Sequence, residues 1–301
     1  MRDNLDGVSV FVATAEAGSF AKAAERLSLT RSAVGKTIGR LEARLGTRLF
    51  HRTTRSQSLT EDGHAYFERC LRALDEIRMG EALLETGKRE VSGKLKISMP
   101  LLFGRYCVQP ILLDLAREHP KLELDLRYTD SLVNLAGEGY DLAVRNNGPG
   151  QGSGLQTRKI AVQKKIVCAS PSYLEARGRP KKVADISKHD ALVYWRNDQP
   201  YPWSLWHPGG ELMEPELRWR YQFDNQEAIV DAAVQGMGLA WVPTWLVRSE
   251  VADGRLVPLL EEFPSTPLNT FAVWQAAEFT SPRLRVTIDT LVARLQAAID
   301  K

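Results

Sequence analysis

The stretch that decides the fold spans residues 19–55 and reads SFAKAAERLSLTRSAVGKTIGRLEARLGTRLFHRTTR. Its apolar residues recur at three- and four-residue spacing in two segments, which predicts two short amphipathic helices. Ser19 and Thr30 stand where helix N-caps are expected, because a hydroxyl oxygen accepts hydrogen bonds from the free N–H groups of a first helical turn. Ser28 and Leu29 form the turn between the helices. The pattern therefore predicts a helix-turn-helix.

The second of these helices carries its DNA-binding candidates on one face. Ala33, Val34, Ile38, Leu41 and Leu45 share the inward face, so the remaining positions face outward. In a helix-turn-helix, the start of the second helix enters the major groove. The residues from which we expect DNA contacts are Ser19, Thr30, Arg31, Ser32, Gly35, Lys36 and Arg40.

A basic hairpin follows the predicted helices. Residues 48–52 and 56–60 have the composition of two short strands around a basic turn, which predicts a wing. Arginines in a wing reach phosphates or the minor groove. We therefore add Arg52, Thr53 and Arg55 to the DNA contacts. Any single arginine here could equally be an ordinary surface charge, but the cluster favours DNA.

The positive charge of the chain is concentrated at this end. The net charge is only +3 over 301 residues, yet residues 1–60 hold ten lysines and arginines against five aspartates and glutamates. Because phosphate contacts supply most of the non-specific affinity for DNA, a basic head on a nearly neutral body is typical of a DNA-binding domain.

The composition limits the other possibilities. A chain of 301 residues with a hydrophobic content of 44% can bury a sizeable core, and its length predicts two or three domains. No run of about 18 apolar residues and no signal-peptide pattern occurs, so we expect a cytoplasmic protein without a membrane partner. The three cysteines lie far apart and the five histidines are scattered. We therefore expect no disulfide framework, metal site or cofactor.

Residues 61–85 predict one long helix. Its apolar positions recur three and four residues apart, interrupted by a glutamate, at Phe67, Cys70, Leu74, Ile77, Glu81 and Leu84. Such a seam favours pairing with a second copy of the chain. The alternative is an amphipathic helix that packs on its own body. Residues 86–93 are polar and contain two glycines, which indicates a hinge.

The rest of the chain alternates predicted strands and helices, which indicates an α/β body. Strands are predicted at residues 94–99, 122–128, 141–145, 166–170, 192–195, 219–223, 239–242 and 270–274. Residues 282–299 predict an amphipathic C-terminal helix.

Several of these segments resemble one protein family. FVATAEAGSF at 11–20, LEARLGTRLFHR at 41–52 and LTEDG at 59–63 are similar to the N-terminal domain of LysR-type transcriptional regulators. VCASPSYL at 167–174, DISKH at 185–189, FDNQEA at 223–228 and GMGL at 236–239 resemble their effector-binding domain. Within the recognition helix, Arg31, Ser32 and Gly35 replace the glutamine, proline and hydroxyl residue that this family usually has.

The resemblance implies a fold and a domain plan. It implies a winged helix-turn-helix over residues 1–60, a dimerisation helix and hinge over 61–90, and an effector-binding domain over 91–301. That domain is expected to resemble a periplasmic binding protein, with lobe one at 94–163 plus 268–301 and lobe two at 164–267. The chain is expected to cross between lobes near residues 163–167 and 269–272. The family likeness further implies a dimer of dimers on an interrupted inverted repeat of double-stranded DNA, with promoter binding modulated by a small-molecule effector.

The expected effector contacts follow from the strand ends. Open α/β sheets bind ligands beyond the carboxyl ends of their strands. This rule selects Ser98, Met99, Tyr128, Thr129, Arg145, Asn146, Trp195, Phe223 and Asn225, with Cys168 nearby. Arg145 could pair with a carboxylate and Trp195 could cover an apolar body. Each of these residues could instead pack or cap, and for Phe223 and Cys168 packing is the favoured interpretation.

The sequence supports two rival functions less well. An enzyme is disfavoured because the glycine-rich run at 148–154 has leucine at position 155 where a phosphate-binding loop needs glycine, and no other catalytic motif occurs. A redox-sensing regulator would act through Cys107 and Cys168. Those cysteines fall on different predicted lobes, where their α-carbons are not expected within the roughly 7 Å that a disulfide requires.

Overall fold

The computed structural model describes residues 7–52, 57–86, 91–148, 154–196, 198–276 and 280–300. The chain divides into two compact units, Met1–Gly93 and Lys94–Lys301. Among the helices of the described residues, none has the combination of length and apolarity needed to cross a bilayer.

The N-terminal unit is a winged helix-turn-helix followed by a long helix. Its elements are α1 Val8–Ala17, α2 Phe20–Arg26, α3 Arg31–Leu45, β1 Phe50–Arg52, β2 Gln57–Leu59 and α4 Glu61–Thr86. Gly18 ends α1 in the left-handed conformation, with a φ of 63°. Strands β1 and β2 pair antiparallel, with Phe50 opposite Leu59. The predicted fold of this unit is confirmed.

Phe11 of α1 is the centre of the core of this unit. It is fully buried, and its ring lies 5.6 Å from that of Phe50, 5.4 Å from Tyr66 and 6.3 Å from Phe67. Val34, Ile38 and Leu41 of α3 line the same core. The inward face predicted for the recognition helix therefore packs against α1, the wing and α4, except for Leu45, which was predicted inward but is 37% exposed at the end of α3.

The start of α4 contributes to this core. Cys70 is buried in it, and Phe67 and Leu74 pack against it. Three residues of the predicted dimer seam therefore contribute to a core within their own head, and pairing of α4 with a second copy stays a prediction. Ile77 is 41% exposed. The side chains of Glu81 and Leu84 lie outside the described part of the chain.

The C-terminal unit opens with a β-strand and alternates strands with helices. Its first half contains β3 Gly93–Met99, α5 Leu101–Phe103, a π-helical turn Gly104–Val108, α6 Gln109–Glu118, β4 Leu122–Tyr128, α7 Leu135–Glu138, β5 Leu142–Asn146 and β6 Leu155–Gln163. These strands and one from the end of the chain form lobe one.

The second half of the unit contains lobe two and the return to lobe one. Its elements are β7 Lys165–Ala169, α8 Pro171–Arg177, a 3-10 helix Val183–Lys188, β8 Asp190–Arg196, β9 Gln199–Pro200, β10 Leu205–Trp206, β11 Leu212–Met213, β12 Arg218–Phe223, α9 Gln226–Val234, β13 Leu239–Pro243, a 3-10 helix Thr244–Leu246, α10 Arg248–Ala252, β14 Val257–Leu259, β15 Leu268–Gln275 and α11 Pro282–Asp300.

Each lobe is built on one mixed sheet. Lobe one has the strand order β4-β3-β5-β15-β6, in which β3 and β5 are parallel and β15 is antiparallel to its two neighbours. Lobe two has the order β12-β8-β13-β7-β14, with β8 parallel to both β12 and β13. The core of lobe two includes fully buried Trp203, whose ring stacks on Trp241.

The chain crosses between the lobes twice. Only Lys164 separates β6 from β7, and residues 260–267 connect β14 to β15. The second crossing was expected at 269–272, but those residues already pair with β5 and β6 inside the lobe-one sheet. The two crossings touch, because the backbone N–H of Lys165 donates to Ser265 Oγ at 2.9 Å.

Candidate DNA-reading surface and effector cavity

The recognition helix α3 is fixed at its start by a side-chain cap. Thr30 Oγ1 accepts a hydrogen bond from Ala33 N at 3.1 Å, and Ser19 Oγ accepts one from Ala21 N at 3.2 Å at the start of α2. Two predicted DNA contacts therefore also hold the helix ends. An N-cap of this kind stabilises a helix by about 1 kcal/mol.

The outward face of α3 is polar and basic. Arg31, Ser32, Lys36 and Arg40 are exposed, and Arg40 Nη2 lies 3.4 Å from Thr37 Oγ1. A Cβ added at Gly35 would meet nothing within 4 Å, so a hydroxyl residue would fit there. Arginine and lysine on such a face can donate to guanine edges and to phosphates. The side chain of Arg52, and the whole of Thr53 and Arg55, lie outside the described residues.

A buried glutamate joins α3 to the wing. Glu42 is 8% exposed and its Oε1 accepts hydrogen bonds from Leu49 N at 2.9 Å and Phe50 N at 3.3 Å. The carboxylate thereby satisfies two backbone donors at the point where β1 begins. Sequence reasoning missed this role because Glu42 reads as an ordinary helix-surface charge. The signals that could have found it were its place beside the buried position Leu41 and its presence in the family-like segment at 41–52.

The base of the wing is held against α4 by Thr60. Its Oγ1 donates to Arg48 O at 2.7 Å and accepts from Gly63 N at 2.9 Å, while Thr60 N donates to Leu49 O at 3.0 Å. Leu49 O lies so near Gly63 that a Cβ built there would be 2.1 Å from it. The contact requires glycine at position 63.

The C-terminal unit contains an open cavity between its two lobes. Its volume is about 850 Å³, including the solvent at its mouth. It lies beyond the carboxyl ends of β3, β5, β8 and β12. The apolar part of its wall includes Leu101, Leu102, Phe103, Trp245 and Leu268. The polar part consists of Asp130, Asn146, Asn147, Gln163, Lys165, Tyr194, Arg196, Tyr201, Asp224, Asn225 and Gln226.

Two of the predicted effector residues, Asn146 and Asn225, lie in this wall. Asn225 is also the N-cap of α9, where its Oδ1 accepts from Glu227 N at 2.7 Å. Trp195 lies beside the cavity rather than in its wall, on β8 opposite Pro200 of β9. Phe223 packs against the core of lobe two, and Cys168 is fully buried there.

Arg145 is not available for the expected carboxylate. It is 8% exposed, its Nη2 donates to Ser98 Oγ at 3.2 Å, and burial lowers the pKa of its guanidinium. Ser98 is itself fully buried. Alternate side chains of a strand point to opposite faces of the sheet. The strand-end rule therefore found the right edge, but Ser98 and Arg145 pack together inside lobe one.

Three more predicted effector residues pack or form hydrogen bonds inside lobe one. Met99 is fully buried and lies against Gly104, where a Cβ would be 2.3 Å from Met99 Cγ. Tyr128 donates its hydroxyl hydrogen to Gln109 Oε1 at 2.6 Å. Thr129 N donates to Met99 O at 2.9 Å. None of these three is in the cavity wall, whose nearest members here are residues 100–103 and Asp130.

Gln163, which sequence reasoning missed, joins the two lobes at the cavity. Its Nε2 lies 2.9 Å from Asn146 Oδ1 and 2.8 Å from Thr270 Oγ1 in lobe one. Its Oε1 accepts from Trp245 Nε1 of lobe two at 2.8 Å. Gln163 is buried at the end of β6, next to the first crossing, so a change in lobe arrangement would disturb its bond to Trp245.

Comparison with known families decides the classification. Residues 5–64 match the family model described as bacterial regulatory helix-turn-helix protein, lysR family, and residues 88–296 match the LysR substrate binding domain. The chain belongs to the LysR family of transcriptional regulators. It is therefore a helix-turn-helix regulator of transcription with an effector-binding domain, which is a class of regulator rather than of enzyme.

Relatives of this LysR family chain span nearly its whole length. It is 31% identical to the HTH-type transcriptional regulator CrgA of Neisseria meningitidis serogroup C (strain 8013), over 98% of each chain. It is 33% identical to the HTH-type transcriptional regulator DmlR of Escherichia coli (strain K12), over 95% of this chain and 93% of DmlR. The solved structure of CrgA from Neisseria meningitidis covers 96% of this chain and 98% of its own, with a TM-score of 0.60 and 30% identity.

The cysteines of this LysR family regulator are poorly suited to sensing oxidants. Cys70, Cys107 and Cys168 are all free and buried. Burial raises the pKa of the Cys107 and Cys168 thiols to about 12. Because the thiolate is the reactive form, both thiols are expected to react slowly with peroxide near neutral pH.

We expect peroxide to leave operator affinity within about twofold in the wild-type chain, since the inert thiols stay reduced. Gel-shift titration before and after peroxide treatment measures this. The Cys107→Ser/Cys168→Ser variant is the control. An affinity change in the wild-type chain that this variant lacks would restore the redox-sensing alternative.

Proposed function

We propose that this regulator binds an interrupted inverted repeat in promoter DNA, in the bacterial cytoplasm, with α3 in the major groove. The observation that carries the proposal is the exposed row formed by Arg31, Ser32, Lys36 and Arg40 on a capped helix whose opposite face is buried. Each half-site would take one head, with Arg31 near the bases and Arg52 and Arg55 of the wing near phosphates or the minor groove.

The heads would be paired by self-association. Since Phe67, Cys70 and Leu74 are used inside the head, the surface of α4 available to a second copy would begin near Ile77. A helix-turn-helix dimer matches the twofold symmetry of its operator. We propose a dimer through this part of α4, and a dimer of such dimers.

The cavity between the lobes would hold the effector, without a metal or other cofactor. Residues on both lobes and at the first crossing line it, so a bound molecule can contact both lobes at once. An effector shifts a conformational equilibrium only by its difference in affinity for the two arrangements. The hydrogen bond between Gln163 of lobe one and Trp245 of lobe two is a contact that would differ between them.

Footprinting of the full chain on DNA upstream of its own and neighbouring genes tests the DNA proposal. Two protected half-sites on one face of the duplex are the expected result. A thermal-shift screen of metabolites, followed by footprinting with and without each hit, tests effector control. Protection of no sequence in these regions would contradict the proposed operator.

Arg31→Gln is expected to change which operator is preferred. A bidentate arginine favours guanine, whereas glutamine favours adenine, and one such pair discriminates by about 1–3 kcal/mol. Selection from a randomised half-site library should therefore shift one position from guanine to adenine. An unchanged selected sequence for Arg31→Gln would remove Arg31 from the base contacts.

A further inference from the structure

Lys165 occupies an unusual place in the cavity wall. It is the first residue of β7, directly after the crossing between the lobes. Its Nζ lies 4.0 Å from the centre of the Trp241 ring and 4.6 Å from that of Tyr201. These two rings are stacked, with centroids 6.2 Å apart and an interplanar angle of 25°. Ring faces attract the ammonium on one side and leave its other side toward the cavity.

This ammonium lacks an anionic partner in the described part of the chain, where its Nζ makes no hydrogen bond and has no carboxylate within 4.0 Å. Burial, and to a smaller extent the nearby guanidinium of Arg196, lowers the pKa of Lys165 to about 8. Arg196 lies in the same wall and is likewise without an ion pair among the described residues. Two cations thus share this part of the cavity.

The acidic groups of the wall do not neutralise them by direct contact. Asp130 Oδ1 accepts a hydrogen bond from Leu101 N at 3.3 Å, at the start of α5. Asp224 is exposed at the end of β12. A half-buried cation without a counter-ion is unfavourable, so binding an anion beside it gains more than binding a neutral group.

We propose that the effector carries an oxyanion, a carboxylate or a phosphate, which the Lys165 ammonium and the Arg196 guanidinium bind together. The proposal rests on the proposed function, because it takes this cavity as the effector site. An arginine fork and a lysine ammonium are the two side chains that proteins use most for such groups.

The position of Lys165 gives the anion a route to the lobe arrangement. Its backbone N–H is bonded to Ser265 Oγ on the second crossing, and Gln163 lies two residues earlier on the first. An oxyanion held by the side chain therefore acts on the short segment through which both lobes are connected. A neutral ligand in the apolar part of the cavity would lack this contact.

Calorimetric titration of the full chain with matched probes tests the proposal. The probes are benzoate, phenyl phosphate and their neutral counterpart benzamide, together with propionate and propionamide, at constant ionic strength. At least one anion should bind about tenfold or more tightly than its neutral counterpart. Whether carboxylate or phosphate binds better identifies the oxyanion. Binding by no anion up to its solubility limit, or equal binding of the neutral probes, would overturn the proposal.

Variants locate the effect at Lys165. Lys165→Met should weaken anion binding by about 10- to 100-fold, because a hydrogen bond to a charged group is lost. Lys164→Met is the matched control, since Lys164 is exposed and is not in the cavity wall. Equal anion affinities for the two variants would overturn the proposal. If the wild-type chain binds the anion but protects no DNA sequence in footprinting, the anion proposal stands and the proposed operator function is contradicted.

The pH dependence provides a second, independent readout. Lys165 loses its charge above about pH 8, so anion affinity should fall as the pH rises from about 7 to about 9.5. The other charged or titratable groups of this wall are Arg196, Asp130, Asp224, Tyr194 and Tyr201, and burial raises the pKa of Tyr194, away from this range. Lys165→Arg should bind the anion with a flat profile. A falling profile in that variant would assign the titration to another group.

Discussion

Gly63→Ala is expected to unfold the junction between the wing and α4 and to abolish operator binding. The added methyl group would lie 2.1 Å from Leu49 O, far inside van der Waals contact, and this oxygen is backbone that already accepts from Thr60 N. Either the start of α4 or the base of the wing must move. Overpacking of this kind costs about 3 kcal/mol or more.

The tryptophans allow unfolding of the head in Gly63→Ala to be distinguished from unfolding of the C-terminal unit. All seven lie in the C-terminal unit, so tryptophan fluorescence follows that unit alone, whereas far-ultraviolet circular dichroism also follows the helices of the head. In urea titrations, Gly63→Ala should lose helical signal early with an unchanged fluorescence transition. Gly39→Ala is the control, because its Cβ meets nothing within 4 Å and alanine favours a helix. Equal helical transitions for the two variants would contradict the steric argument.

Arg31→Ala/Lys36→Ala is expected to lower operator affinity by about 100-fold or more. One base-contacting arginine contributes about 1–3 kcal/mol, and a phosphate-contacting lysine adds an electrostatic contribution that salt weakens. Both side chains are exposed on α3, so the fold should be unaffected. Gel-shift titration at several salt concentrations should also give a salt slope lower by about one unit.

The control for this variant removes the same charge elsewhere. Lys181→Ala/Lys182→Ala also deletes two exposed cations, but on lobe two. It should retain operator affinity within about threefold, since charges away from the reading face act only through the screened net charge. Similar losses in the two double variants would mean that net charge, rather than the α3 face, governs binding.

The winged helix-turn-helix was predictable because the sequence signals that determine it are local. Caps such as Ser19 and Thr30, the turn at Ser28 and the helical spacing of the core residues all act within a few positions along the chain. The roles of Glu42 and Gly63 were not predictable in the same way. They depend on how close the backbone of Leu49 and Phe50 comes to Glu42 and Gly63 in the folded chain. No spacing rule along the sequence predicts that proximity.

The cavity likewise has residues that the sequence predicted and residues that it did not. The strand-end rule pointed to the edge where Asn146 and Asn225 lie, yet it also selected Ser98, Met99 and Arg145, which face the interior of lobe one. Gln163 and Lys165 escaped notice because a polar residue in a strand reads as an exposed position. Only the crossing between two sheets turns those positions toward a shared space.

The packing of α4 determines where the junction should lie in a chimaera that exchanges the DNA-binding domain between relatives. Phe67, Cys70 and Leu74 complete the core around Phe11, so a chimaera joined at residue 60 would leave that core open on one side. A transplanted head that keeps its own residues through Leu74 carries its own hydrophobic closure. The segment that must be exchanged to transfer DNA specificity is thus longer than the part of the chain that can contact DNA.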